Sequence, residues 1–171
     1  MIAVGTLIVD GHNVLRSAPR YAEVVERDID AARERLIADL GARAADGTDV
    51  VLVFDGAGNP DSDGTPAMVG GVTVIFSPSG VEADAVIENL AREARLAGVD
   101  TEVVTSDSET RWASLGGSVT VRRASAFALE IAGDESDWRA GAAGAGPHAP
   151  LEDRLDAETR ARLERLSRRR R

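Results

Sequence analysis

The sequence predicts an α/β fold: a three-layer α/β/α domain on a mainly parallel sheet of about five strands, followed by a C-terminal helical extension. Three observations predict it. Short apolar runs rich in β-branched residues alternate with segments of helical periodicity, as strands joined by crossover helices do. Three of those runs stop abruptly on an aspartate: Leu7-Ile8-Val9 on Asp10, Val50-Val51-Leu52-Val53-Phe54 on Asp55, and Glu102-Val103-Val104-Thr105-Ser106 on Asp107. The length of 171 residues, 43% of them hydrophobic, suits one such domain with a short appendage. Ligands of open α/β sheets bind outside the carboxyl ends of the strands, so three carboxylates at one rim are functional candidates before anything else is known.

Taken in order, residues 5–9 read as the first strand and Asp10 to Arg16 as a loop. Arg20 to Arg27 holds a short helix. From Asp28, a plausible N-cap, Ile29, Ala32, Leu36, Ile37 and Leu40 recur at helical spacing until Gly47. A second strand covers 49–54. The Gly-, Asp-, Asn- and Pro-rich stretch from Gly56 to Gly71 reads as a surface loop beside a strand end, either a rim or lid or a plain connection. Val72 to Phe76 forms the third strand, and Ser77-Pro78-Ser79-Gly80 breaks the chain before a helix over 81–97. That helix has an apolar stripe of Ala83, Val86, Ile87, Leu90, Ala91 and Ala94, and Gly98 stands as its C′ residue. A fourth strand at 101–105, a helix starting near Asp107 and including Trp112 and Leu115, a fifth strand at 118–122 and a helix from Ser125 to Ala132 complete the core.

The domain therefore spans 1–138. Residues 139–150 have the Gly, Ala and Pro composition of a flexible linker, and 151–171 carry Leu151, Leu155, Leu163 and Leu166 at helical intervals before Arg168-Arg169-Arg170-Arg171. The chain has no cysteine, which excludes disulfides and thiolate metal sites. No apolar run approaches the roughly 20 residues needed to span a bilayer, and no signal peptide is indicated, so the expectation is a cytoplasmic protein without a membrane partner. All 20 basic residues are arginine. Residues 1–150 hold 12 Arg against 24 acids, a net of −12, and residues 151–171 hold 8 against 5, a net of +3, which together make the overall −9. An acidic body argues against a nonspecific grip on polyanions. It leaves room for a metal-dependent site, because a bound divalent ion inverts the local field.

The helix over 81–97 adds further acids. Asp84 lies in its first turn, favoured there by the helix dipole, and Glu88 follows four residues on and on the same face. Glu82 is a neighbour about two positions off that face. Such a cluster repels itself unless a cation sits within it, and hard oxygen ligands of this kind suit Mg²⁺ or Mn²⁺. One or two such ions can activate water and stabilise a phosphodiester under in-line attack. Each residue also has an ordinary structural explanation: an Asx turn for Asp10 or Asp55, first-turn helix acids for Glu82, Asp84 and Glu109, and an N-cap for Asp107. Their coincidence at one rim is what favours a site. Asn13 is placed to hold a phosphate or orient a carboxylate, and Ser106 to donate a hydrogen bond to Asp10 or a phosphate. His12 is either a proton shuttle or a packed side chain, and the tail arginines either bind RNA or an acidic partner or simply end a helix.

Other phosphate chemistries lack their motifs. There is no GxxxxGK[ST] loop and no GxGxxG after the first strand. An aspartyl-nucleophile phosphatase would need a second Asp at the position of His12, and no GxSxG elbow exists.

The motifs Val9-Asp10-Gly11-His12-Asn13, Val53-Phe54-Asp55-Gly56, Glu82-Ala83-Asp84 with Ile87-Glu88, and Thr105-Ser106-Asp107 come in the order and spacing of the NYN domain. The chain resembles the YacP-like branch of that family from about residue 5 to 133. The resemblance implies a PIN-like nuclease fold and a metal-dependent endoribonuclease, some branch members being linked to mRNA cleavage on translating ribosomes. Carried over, it implies Asp10, Asp84 and Asp107 as the principal catalytic and metal-holding acids, with Asp55 a further metal-site residue and Asn13 and Ser106 in support. The family pattern often has Tyr at His12, and often a second acid at Ala85, which leaves either Glu82 or Glu88 to complete this site. The alternatives in other classes are a non-catalytic RNA- or ribosome-binding module of the same fold and a small-nucleotide phosphohydrolase. A nuclease preferring DNA is a further variant.

Overall fold

A computed structural model describes residues 5–57, 59–106 and 116–131. The elements run β1 (Thr6–Asp10), α1 (Gly11–Ser17), α2 (Pro19–Arg27), α3 (Ile29–Ala45), β2 (Asp49–Phe54), β3 (Ala67–Val69), β4 (Val72–Phe76), α4 (Ala83–Leu96), β5 (Thr101–Thr105) and β6 (Val119–Arg123). Residues 124–131 form a further helix, α5, directly after β6. The expected helix from Asp107, the 139–150 linker and the 151–171 helix lie outside the described residues.

The sheet order is β3-β4-β2-β1-β5-β6. Every pair is parallel except β3 with β4. From β1 the chain steps to β2 and β4 on one side, then crosses back through α4 to β5 and β6 on the other. Crossovers of one hand that move in opposite directions must lie on opposite faces. So α1–α3 cover one face, where Leu7, Val9, Val50, Leu52 and Val104 point. The helix α4 covers the other, on Ile8, Val51, Val53, Ile75 and Val103. Each central strand is buried on both sides, which is why these strands read as continuous apolar runs instead of alternating ones. Helix α5 joins the first face through Ala124, Phe127, Ala128 and Ile131, a stripe at helical spacing.

Two expectations are corrected. The segment expected as a loop, Asp10 to Arg16, is α1. Its composition is poor for a helix, with a leading Gly, an Asn and a β-branched Val. It forms because the Asp10 side chain caps it and because Val14 and Leu15 are buried. The second correction is β3, inside the stretch read as an irregular loop, which raises the sheet to six strands. Gly70 and Gly71, at φ 57° and 84°, make the two-residue hairpin turn that joins β3 to β4. Such a turn needs left-handed conformations at both positions, and the Gly-Gly pair between apolar residues was its available signal.

Polar contacts tie the helical layer together. The Tyr21 hydroxyl donates to Asp39 Oδ2 at 2.5 Å and Arg20 donates to the same oxygen at 2.9 Å, joining α2 to α3. Tyr21 is fully buried, so desolvation and the Asp39 carboxylate push its phenol far above the ordinary range. Arg33 lies over the rings of both Phe54 and Phe76, at 5.4 Å from each centroid, and donates to Asp30 at 2.8 Å. Among the described residues no helix is long and apolar enough to cross a membrane.

Gly11 is required by packing. A Cβ there would stand 2.3 Å from Cε1 of Phe54, whose ring is fully buried and stacked on Phe76. Gly11→Ala is expected to cost roughly 1–3 kcal/mol, the range for overpacking a filled core. The check is a lowered denaturation midpoint with an unchanged denaturant slope.

Candidate active site

The direction reversal of the chain separates β1 from β5 in sequence while leaving them adjacent in the sheet. The chain continues from β1 to β2 on one side and from β5 to β6 on the other, and the crevice at such a reversal is where an open α/β sheet offers a site. Asp10 is the last residue of β1 and is 4% exposed. Its Oδ1 accepts from the Asn13 amide at 3.0 Å and its Oδ2 from Asn13 Nδ2 at 2.6 Å. The same Nδ2 lies 3.4 Å from Oγ1 of Thr105, the last residue of β5. Asn13 thus spans the crevice and holds the Asp10 carboxylate by both oxygens. Beside it, Ser17 and Ser106 hydroxyls meet at 3.5 Å, linking the end of α1 to the end of β5.

Asp84 sits in the first turn of α4, half-buried. Because α4 passes under β2 and β1 on its way from β4 to β5, its N-terminal turn brings this carboxylate to Asp10. Burial pushes the Asp10 carboxyl above its ordinary value of 3.8 and the Asp84 charge pushes it further, against the opposing hydrogen bonds from Asn13. Two carboxylates are therefore held together at a cost. Their hard oxygens, with the Asn13 and Thr105 polar groups nearby, suit a divalent cation that would relieve the repulsion. Among the described residues no group of three or more acid, His or Cys side chains is arranged to hold a metal. Asp107, expected as a third acid, lies outside the described residues, as does Glu109.

The other expected residues are placed as follows. Asp55 is half-buried at the end of β2, and its Oδ1 accepts from the Ala57 amide at 2.7 Å, an Asx turn. The turn is anchored from below, since the Gly56 amide donates to Ser77 Oγ at 2.9 Å and Ser62 Oγ donates to the Ser77 carbonyl at 2.7 Å. Glu82 is exposed at the N-cap of α4 and makes no side-chain cap bond. Glu88 accepts from Arg92 at 2.8 Å, one turn along the same helix. His12 is half-buried with its ring edge-on to Phe54, 6.1 Å between centroids. Thr105, Ser17 and Ser77 were not anticipated. Thr105 ended a strand next to a residue that was singled out, a usable signal, whereas nothing local marked Ser17 or Ser77.

The raised Asp10 carboxyl has a consequence for stability. The folded protein keeps this proton to higher pH than the unfolded chain, so this group's contribution falls as pH rises from 3.8 through the raised value. Above that window the ionised group is a liability to the metal-free fold. Asp10→Asn, which keeps a good N-cap, is expected to raise the melting midpoint by a few degrees at pH 7 in chelator, and the gain should vanish at pH below the ordinary aspartate value. A midpoint that falls at pH 7 would contradict the account.

A protein-family model described as the YacP-like NYN domain matches residues 7–168. The match takes in all of β1 but Thr6 and every later described element through α5, and it continues past residue 133, the limit of the resemblance drawn from the sequence. Two crystal structures of Rae1 (YacP) from Bacillus subtilis share the fold. One, of a tryptophan-to-leucine mutant, has a TM-score of 0.62 at 23% identity, covering 94% of this chain and 98% of that one. The other has a TM-score of 0.62 at 24% identity, covering 95% and 88%. No curated protein matches the chain. A family match over nearly the whole chain, on a sheet whose reversal point carries the motif acid Asp10 beside Asp84, has one conclusion: the chain belongs to the YacP-like NYN domain family, with its PIN-like nuclease fold.

Proposed function

We propose that this protein is a metal-dependent endoribonuclease that hydrolyses RNA phosphodiesters in the crevice between β1 and β5. The observation that carries the reading is the Asp10–Asp84 pair. A buried carboxylate is held beside a second negative charge at the carboxyl edge of the sheet, an arrangement that weakens the metal-free fold and suits a cationic ligand. Family membership supports the reaction class.

In this reading Asp10, Asp84 and Asp107 hold Mg²⁺ or Mn²⁺, with Asp55 as a further site residue and Glu82 or Glu88 completing the set. The ion supplies neutralisation of the phosphodiester charge and acidification of a water molecule. The chain's own residues supply the rest. Asn13 orients both oxygens of Asp10, and its bond toward Thr105 keeps the carboxylate from turning into solvent. Ser106, exposed at the end of β5, presents a hydroxyl to a phosphate oxygen. The net charge of −12 over residues 1–150 disfavours tight capture of free RNA, which supports recruitment by a larger assembly such as a translating ribosome.

The test is cleavage of a labelled mRNA by the pure protein, with Mn²⁺ and with EDTA, alone and with ribosomes translating the message. Discrete cuts are expected with Mn²⁺, lost in EDTA, and reduced roughly a hundredfold or more by Asp84→Asn, as loss of one charge-stabilising group typically does. Strong cleavage of naked RNA at physiological salt would remove the need for recruitment. RNA binding that survives EDTA and Asp84→Asn, with no cuts, would make the protein a binding module. Hydrolysis of mononucleotides without effect on RNA would make it a small-nucleotide phosphohydrolase.

A further inference from the structure

Helix α1 meets the crevice at both of its ends. Near its start Asn13 reaches Asp10 and Thr105, and its last residue, Ser17, reaches Ser106. These two residues are four apart, so they stand on one face of the helix, one above the other. The inward side is set by burial: Gly11, Val14 and Leu15 are buried, and α1 packs on β1, β2, β5, α2 and α3. At about 100° per residue, Arg16 falls between His12 and Asn13 around the helix, away from that buried side, and it is exposed. Asn13 and Arg16 are neighbours on the helix surface, about 5–6 Å apart at Cβ. A guanidinium is thus carried one turn from the amide that holds the Asp10 carboxylate.

Arginines of this acidic domain are mostly committed to carboxylates. Arg20, Arg33, Arg43, Arg92 and Arg122 each form an ion pair. The side chain of Arg16 makes no hydrogen bond, ion pair or ring contact among the described residues. A cation in the last turn also complements the helix dipole, and Arg95 has that place in α4, where it too is exposed. Arg95 differs in position, because it lies eleven residues, or about 16 Å, along α4 from Asp84. Only Arg16 of the two borders the acids. A single anion entering the crevice meets two carboxylates. A polyanion can place one phosphate at the acids, with their cation, while a neighbouring phosphate reaches a guanidinium whose planar fork matches its oxygens.

We propose that Arg16 binds the phosphate next to the one cleaved, so that the RNA strand leaves the acids along the outward face of α1. This contact rests on the nuclease reading above and gives its substrate a direction. It supplies polyanion attraction at short range in a domain whose overall charge opposes it.

The test is binding of a single-stranded RNA oligonucleotide, followed by fluorescence anisotropy across a salt series with Mn²⁺ present, in the Asp84→Asn protein so that the RNA stays whole. Adding Arg16→Gln is expected to reduce the slope of log affinity against log salt by about 0.7, one phosphate contact on a single strand, and to weaken binding about fivefold at roughly 0.1 M salt. Arg16→Lys keeps the charge and should keep the slope. Arg95→Gln removes an equal charge from the far end of α4 and should leave the slope unchanged. Both glutamine variants should shift the melting midpoint alike, by a few degrees at most, as exposed substitutions do. An unchanged slope for Arg16→Gln, an equal reduction by Arg95→Gln, or no binding at the lowest salt overturns the contact. Cleavage of the labelled mRNA by the otherwise unaltered chain, with translating ribosomes present, keeps the two readings apart. Cuts with an unchanged slope leave the nuclease standing and remove Arg16 from it. A reduced slope without cuts keeps the phosphate contact and removes the nuclease, and absence of both binding and cuts overturns both.

Discussion

The structure turns on a carboxylate taken out of water. Asp10 is buried at the end of the central strand β1, and its two oxygens are satisfied by two N–H groups of one residue, Asn13. Those bonds do two things at once. They cap α1, starting a helix that its own composition would not support, and they fix the direction in which the carboxylate faces the crevice. Helix α1 in turn brings Val14 and Leu15 into the core and Ser17 to Ser106. The geometry of the site and the nucleation of the first helical layer are thus one local event, made possible by a glycine that lets Phe54 close against the same turn.

The second constraint is topological. Because strands are added on one side of β1 and then on the other, the connecting helices must lie on opposite faces, and α4 has to pass beneath β1. That route delivers Asp84 to Asp10. The resulting repulsion, together with desolvation, raises the Asp10 carboxyl and works against folding. Stability is recovered elsewhere: in strands buried on both faces, in the Tyr21–Asp39–Arg20 contact joining two helices, and in the Arg122 pairs at the far edge. Rigid support around a locally unfavourable charge pair is the general pattern of a preorganised site.

Charge organises the molecule on a larger scale. An acidic body would repel a nucleic acid at long range, so short-range attraction must come from a few well-placed groups. Arg16, exposed one turn past the residue that holds the acid, is placed as such a group.

Much of this was legible in the sequence because it depends on local pattern. Strand runs ending on Asp10 and Asp55, the helix following Asp28, the stripe around Ile87 and the Val72–Phe76 strand all reflect periodicity, capping and turn chemistry read within a dozen residues. The helix at 11–17 was not legible, since its cap and buried face outweigh a weak propensity, and β3 left only the Gly70-Gly71 pair as its mark, because a three-residue strand forms only with its partner in place. Only the tertiary structure could decide which acids meet. It set Asp84 against Asp10, gave Asp55 an Asx turn, and paired Glu88 with Arg92, although all four stood as candidates for one rim in the sequence. The physical reason is that local propensity determines which elements form, whereas crossover handedness and strand register, both nonlocal, determine which side chains share a volume.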